Sequence, residues 1–310
     1  MLIRTLPLPT PLTIPTEPLT PSAFAPFGSV LTNPAPELHP SAAAASSSSS
    51  YSSSSSLLPQ GFGAVSANQG TAIQYRGLAP PLRDLYAQAP SGRRASPRTT
   101  MFVCGARELE PEPDGEGEGE GGNGGRSKSR SRSRGLFTVH VLERHPFTTQ
   151  TFVPLSSSSS PSSSSSPPAP VQYLVVVAPT LPPSSADTAF PAPEDGDGDG
   201  DGSRQKLPGR GMPDLRRVRA FLATGSQAVT YGAGTWHAPM AALGPPGSAV
   251  EFVVVQFAND EPVEDCQEVA LEGGKGGGEG EGEGGQEDSG SKIKVRVAGQ
   301  GRRGHGASKL

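Results

Sequence analysis

Apolar and polar residues alternate over short stretches of this chain, and the period predicts strands. Residues 136–142, LFTVHVL, put Phe137, Val139 and Val141 on one face and Thr138 and His140 on the other. That is the two-residue repeat of a half-buried strand. Residues 150–154, QTFVP, predict the next strand, after a turn through His145-Pro146. Residues 173–178, YLVVVA, are apolar throughout and rich in β-branched side chains, as suits a central strand. Residues 217–222, 228–231 and 250–257 (VEFVVVQF) complete the predicted set. One short helix is predicted at residues 20–28, with Thr20 as N-cap, Pro21 in the first helical position and Gly28 as its stop. Phe24 and Phe27 then share a face and pack the helix as a lid or edge on the strands. Many short strands, divided by Gly and Pro turns, predict a β-sandwich or barrel.

Composition changes the domain count. Glycine (40) and proline (34) are abundant and aromatics make up only 5%. Much of the excess lies in homogeneous runs at 41–56, 107–135, 156–170, 182–212 and 272–310. Such runs cannot bury enough apolar surface to offset the entropy lost on ordering. They are expected to be disordered insertions, with 272–310 as a disordered tail. Without them roughly 180 residues remain, enough for one compact domain within 1–271.

The net charge of −4 is less telling than its distribution. An acidic Glu-Gly run at 108–120 and a basic Ser-Arg run at 126–134 nearly cancel within one loop. The stretch SKSRSRSR invites an RNA-binding reading, but no RNP-like motif, zinc-ligand spacing or helix-turn-helix pattern accompanies it. Nucleic acid is therefore not the expected partner. Cys104 and Cys266 are too few for a disulfide framework and read as reduced thiols. Prolines interrupt the N-terminal stretch, and no window approaches the ~18 apolar residues of a membrane span. The expected setting is the cytoplasm, with no membrane.

Three stretches hold candidate chemistry. In LERHPFTTQ, Glu143 and His145 are two apart and share a strand face, and Gln150 follows one turn later. A carboxylate, an imidazole and an amide can bind a metal or polar ligand inside a barrel, and can equally be an exposed cluster without a task. In TYGAGTWHAPM, a Gly-x-Gly turn aims Trp236, the only tryptophan, and His237. His237 can serve as acid or base, as a metal ligand, or as a satisfied core histidine. The third stretch, NQGTAIQYR, carries Asn68 and Arg76 around Gly70 and can hold a small polar substrate or form an ordinary loop and strand.

Taken in order, LTPSAFAPFG (19–28), NQGT (68–71), LERHP (142–146), QTFVPL (150–155), YLVVVA (173–178), DLRRVRAF (214–221) and GTWHAP (234–239) resemble the ureidoglycolate lyase family. The resemblance implies a mainly β, cupin-like barrel with short helices. It implies an enzyme of allantoin breakdown that splits (S)-ureidoglycolate into glyoxylate and urea, working as a homodimer. Glu143-x-His145-x4-Gln150 is spaced like a first cupin motif, and Gly234-x-x-His237 resembles a second. A divalent metal such as nickel is implied, held by His145 and His237. Gly232 and Ala238 stand where many bacterial lyases carry histidine, which leaves two histidines for an ion. The carried-over roles are His237, His145 and Glu143 for catalysis; Arg144 or Arg76 for the substrate carboxylate; Gln150 and Tyr231 for the ureido group; Trp236 on the pocket wall; and Asn68 for binding the substrate. A regular strand would turn Arg144 away from Glu143 and His145. The alternatives are a hydrolase that releases ammonia from the same substrate, and a non-catalytic cupin module.

Overall fold

Short alternating segments cannot bury a face alone, so each must pair with segments far along the chain. The computed structural model describes residues 1–8, 10–42, 58–112, 135–155, 171–194, 206–272 and 292–297. In chain order the strands are β1 (Leu2–Leu6), β2 (Leu12–Pro18), β3 (Gly28–Leu31), β4 (Ala64–Ala67), β5 (Ala72–Tyr75) and β6 (Ser96–Gly105). They continue with β7 (Gly135–Val139), β8 (Val141–Arg144), β9 (Gln150–Leu155), β10 (Gln172–Ala178), β11 (Arg219–Thr224) and β12 (Ala228–Tyr231). The last are β13 (Trp236–His237), β14 (Ala241–Leu243), β15 (Ala249–Ala258), β16 (Gln267–Leu271) and β17 (Ile293–Val297). Among the described residues, the one-turn helices that accompany them include α1 (Pro21–Phe24) and α2 (Pro262–Asp265).

The large sheet runs β1-β16-β8-β13-β10-β11-β2-β17-β7, with β14 also on β10. A second sheet runs β3-β12-β9-β15-β6, and β4-β5 is a separate hairpin. Strands β7 and β8 lie far apart in the sheet order, yet one residue, His140, joins them. The large sheet must therefore curl back on itself, giving the mainly β, cupin-like architecture.

Two apolar cores follow from the two faces of β10. Tyr173, Val175 and Val177 face the second sheet and meet Phe152, Tyr231, Phe252 and Val254. Edge-to-face packing of Tyr173 on Phe252, with centroids 5.1 Å apart, ties the sheets together. Leu174, Val176 and Ala178 face the other way, into the curl, with Leu142, Trp236, Val269 and Ile293. Thr20 caps α1 by accepting from the Ala23 N–H, and Phe24 and Phe27 are both buried. The helix is shorter than expected and plugs the first core, with Phe24 edge-on to Phe221. Gly28 does not stop the helix but opens β3, where an added Cβ would sit 1.9 Å from the Thr230 carbonyl oxygen.

Residues 136–142 are not one strand. The chain breaks at His140: within β7 Phe137 and Val139 share a face on the core as expected, but beyond the break Leu142 rather than Val141 is buried. A single alternating strand cannot bury both Val139 and Leu142 on one side, so the break shifts the register. The expectation of disorder across 272–310 also fails at β17. Ile293, Val295 and Val297 are buried between β2 and β7, because IKVRV alternates like any half-buried strand. Parts of the expected insertions are likewise built in, with Glu110 bridging to Leu136 and Asp187 paired with Arg4. The remainder of those runs lies outside the described residues. Among the described residues no helix is long and apolar enough to cross a membrane.

Candidate active site

Register alone brings five of the expected residues into one chain of neighbours. Gln150 on β9 is directly opposite Tyr231 on β12. The Tyr231 ring stacks on His237 with centroids 3.9 Å apart and planes at 12°. His237 on β13 is opposite Glu143 on β8, with Nε2 3.5 Å from the Glu143 Oε1, a charge contact longer than a good hydrogen bond. His145, two residues beyond Glu143, lies with its ring centroid 5.7 Å from that of His237. Glu143, His145 and Gln150 open onto a cavity of about 760 Å³ that is also lined by Arg107, Phe152, Met240 and Gln256.

Both imidazoles are held from behind. His145 Nδ1–H donates to the Asp265 carbonyl at 2.6 Å, and His237 Nδ1–H donates to the Thr235 carbonyl at 2.9 Å. Each Nε2 is thereby left with a lone pair and no partner. Among the described residues, four buried side-chain atoms lack a hydrogen-bond partner: His145 Nε2, His237 Nε2, Gln150 Oε1 and the Tyr231 hydroxyl. Buried polar atoms are normally satisfied, so four orphans in one chain of neighbours mark a place that awaits a ligand. The carbonyl behind His145 is itself braced, since the Asp265 carboxylate accepts from the Tyr86 hydroxyl and the Asn259 N–H.

The match to known proteins decides the family. The ureidoglycolate lyase family model matches residues 11–275. The chain belongs to the ureidoglycolate lyase family. Proteins named ureidoglycolate lyase from Schizosaccharomyces pombe and Saccharomyces cerevisiae are each 34% identical, over 136 and 140 residues. Those regions cover 44% of this chain and 51% and 52% of the yeast proteins, so the matched stretch spans about half the length of these two relatives. A Burkholderia mallei protein of the same name is 26% identical over 248 residues, 80% of this chain and 84% of its own.

Four residues that the family resemblance suggested are not brought into this cluster. Trp236 and His237 are consecutive on a strand, so their side chains leave opposite faces. His237 turns towards Glu143 and Tyr231, while Trp236 is fully buried in the curl and donates from Nε1 to the Gly211 carbonyl. Arg144, between Glu143 and His145, turns the same way as Trp236 and stacks over its ring at 4.5 Å. Its guanidinium donates to Gln267 Oε1 and to the Gly209, Arg210 and Gly211 carbonyls. Arg76 is exposed and bonded to Gln74, and Asn68 sits at the exposed tip of the β4-β5 hairpin, which pairs with neither large sheet.

Residues missed by sequence reasoning are Arg107 and Gln256. Gln256 had a signal: Val250, Phe252 and Val254 form the inward row of β15, and Gln256 is the next position in that row. A polar residue ending an apolar row is where a core becomes a site. Arg107 is the first residue of an expected insertion and carried no pattern of its own.

Burial and surroundings set the charge states. Burial raises Glu143, but the imidazoles of His237 and His145 outweigh it and hold the carboxyl below its ordinary value. Burial first, then the positive charge His237 can carry, lower His145 to about 4. Burial pushes the Tyr231 hydroxyl well above its ordinary range, so it stays a donor at neutral pH.

The unfolded chain takes up a proton at His145 near pH 6.5, whereas the folded protein does so only near 4. Between these values the unfolded state binds more protons, so stability falls as pH falls. Metal-free protein should lose about 3 kcal/mol between pH 6.5 and 4 through this group. Urea unfolding over that range checks it. The slope should shrink in His145→Leu, and an unchanged slope would assign the loss to other groups.

Proposed function

We propose that the protein cleaves (S)-ureidoglycolate into glyoxylate and urea, a step in allantoin breakdown. The observation that carries this reading is the set of four unpartnered atoms, because they match the substrate's needs. Cleavage requires a base for the hydroxyl proton, an acid for the departing urea nitrogen, and polar groups to grip the ureido head. The His237 Nε2 lone pair removes the hydroxyl proton, and the nearby Glu143 carboxylate stabilises the resulting imidazolium. The C–O bond becomes a carbonyl as the C–N bond breaks, and the same proton passes to the departing nitrogen. Tyr231 donates to the ureido carbonyl and Gln150 Oε1 accepts from a ureido N–H. Arg107, on the cavity wall, takes the substrate carboxylate in place of Arg144 and Arg76.

The donor set also fits a divalent metal. Glu143, His145 and His237 each offer a ligand atom within 4.8 Å of the others, and both histidines have Nδ1 fixed by a carbonyl, as metal-bound histidines do. With an ion bound, these three residues would hold it and His237 Nε2 would be a ligand in place of the base, while an ion such as nickel would supply Lewis-acid polarisation of a substrate oxygen. The test of the activity is a product assay on purified protein, with and without added nickel. Glyoxylate with equal urea and no ammonia is expected. Stoichiometric ammonia would make the protein a hydrolase instead, and no turnover would overturn the catalytic reading.

We place the enzyme in the cytoplasm, a reading supported by two unpaired thiols, Cys104 and Cys266. Assembly as a homodimer is supported by the edge strand β6. Met101 and Val103 are 58% and 64% exposed, and with Val153, Leu155 and the half-buried Val253 they surround Glu251 on the outward face of β6, β15 and β9. Such a face on a sheet edge invites a second copy. Light scattering should give twice the chain mass, and Val103→Glu should lower it towards the monomer. A monomeric wild type would refute the assembly.

A further inference from the structure

Gln150 and Gln256 face each other across neighbouring strands, and in this pairing the Gln150 oxygen is the end left without a partner. Gln150 Nε2 donates to Gln256 Oε1 at 2.7 Å, while Gln150 Oε1 is buried and without a partner. Gln256 is itself a cavity residue at the end of the inward row of β15. An unconstrained amide offers donor and acceptor ends with similar ease. Here one end is occupied.

We infer that Gln256 is a positioning residue which locks Gln150 as an acceptor, so that the site selects substrates carrying an N–H group at that point. This rests on the ureidoglycolate reading above and names how the ureido head is told from a carboxylate or ester of the same shape. Those analogues would bring an acceptor against Gln150 Oε1 and leave both oxygens unpaired in a buried place. A site built to hydrogen-bond a substrate N–H rejects analogues lacking it strongly, because its own polar group then stays unsatisfied.

The test is a double-mutant cycle on the full chain, reading KM, kcat and inhibition by an ester analogue that carries an acceptor in place of the N–H. Gln256→Met should raise KM only about twofold with little change in kcat, because a freed amide presents its oxygen about half of the time. The larger effect is on selectivity: inhibition by the ester analogue should tighten about tenfold, because the freed amide can turn its N–H to that acceptor. In a Gln150→Glu background both carboxylate oxygens are acceptors, so orientation no longer matters. There, the further Gln256→Met change should leave the inhibition within about twofold. Whatever Gln150→Glu costs by itself is common to both members of that comparison. A residue that merely fills space would change the inhibition equally in both backgrounds. Equal changes, or no tightening in Gln256→Met, would overturn the proposal while leaving the activity in place. Absence of wild-type turnover would remove the activity and this inference with it. Thermal unfolding of each variant separates a KM effect from lost folded protein.

Discussion

His237→Ala is expected to lower kcat by about a thousandfold in a protein that remains folded. The expectation follows from one atom. His237 Nε2 has no partner, its Nδ1–H is spent on the Thr235 carbonyl, and Glu143 stands 3.5 Å away to stabilise a proton once it arrives. Alanine removes the base and leaves Glu143 without its companion. The same change removes the ring on which Tyr231 stacks, so some loss of stability will accompany it. His237→Gln keeps most of the volume while supplying no base, and should lose kcat to a similar degree with less effect on the melting temperature. Steady-state kinetics beside thermal unfolding decides the matter. Near-normal turnover in either folded variant would take the central role away from His237.

Arg144→Leu should have the opposite signature, with stability lost and chemistry spared. The Arg144 guanidinium is fully buried and serves Gln267 and three consecutive backbone carbonyls, with the Trp236 ring beneath it. Burial lowers its pKa to about 10, still well above neutrality, so the cation persists. Leucine leaves those oxygens without a donor, at a cost of about 3 kcal/mol or more. Urea unfolding should show the loss, and the folded fraction at low temperature should keep its KM. A stable variant with a KM raised a hundredfold would mean that Arg144 holds the substrate carboxylate after all.

These two neighbours of the site show where sequence reasoning stops. That Arg144 must turn away from Glu143 and His145, and Trp236 away from His237, follows from strand alternation alone. Which of the two faces is the cavity does not. Either face of β10 is apolar, and only the pairing of β12 with β9 and the curl of the large sheet decide which core closes and which stays open. The local pattern at 136–142 also misled for a physical reason. Its alternation is regular, but the break at His140 is imposed by the curl, which needs Val139 and Leu142 both buried. By contrast, β17 was legible in IKVRV and was hidden only by the glycine-rich chain around it.

The sequence by itself determined that this is a strand-built family member, which residues share a strand face, and that Glu143, His145, Gln150, Tyr231 and His237 are side-chain types suited to the proposed cleavage. Those properties are local or follow from ordered resemblance. Tertiary structure alone decided that the five converge, that Gln256 and Arg107 join them, and that Arg144, Trp236, Arg76 and Asn68 do not. Convergence depends on cross-strand register between segments up to about a hundred residues apart, and register is set by how two sheets bury their faces, which no single stretch of chain encodes.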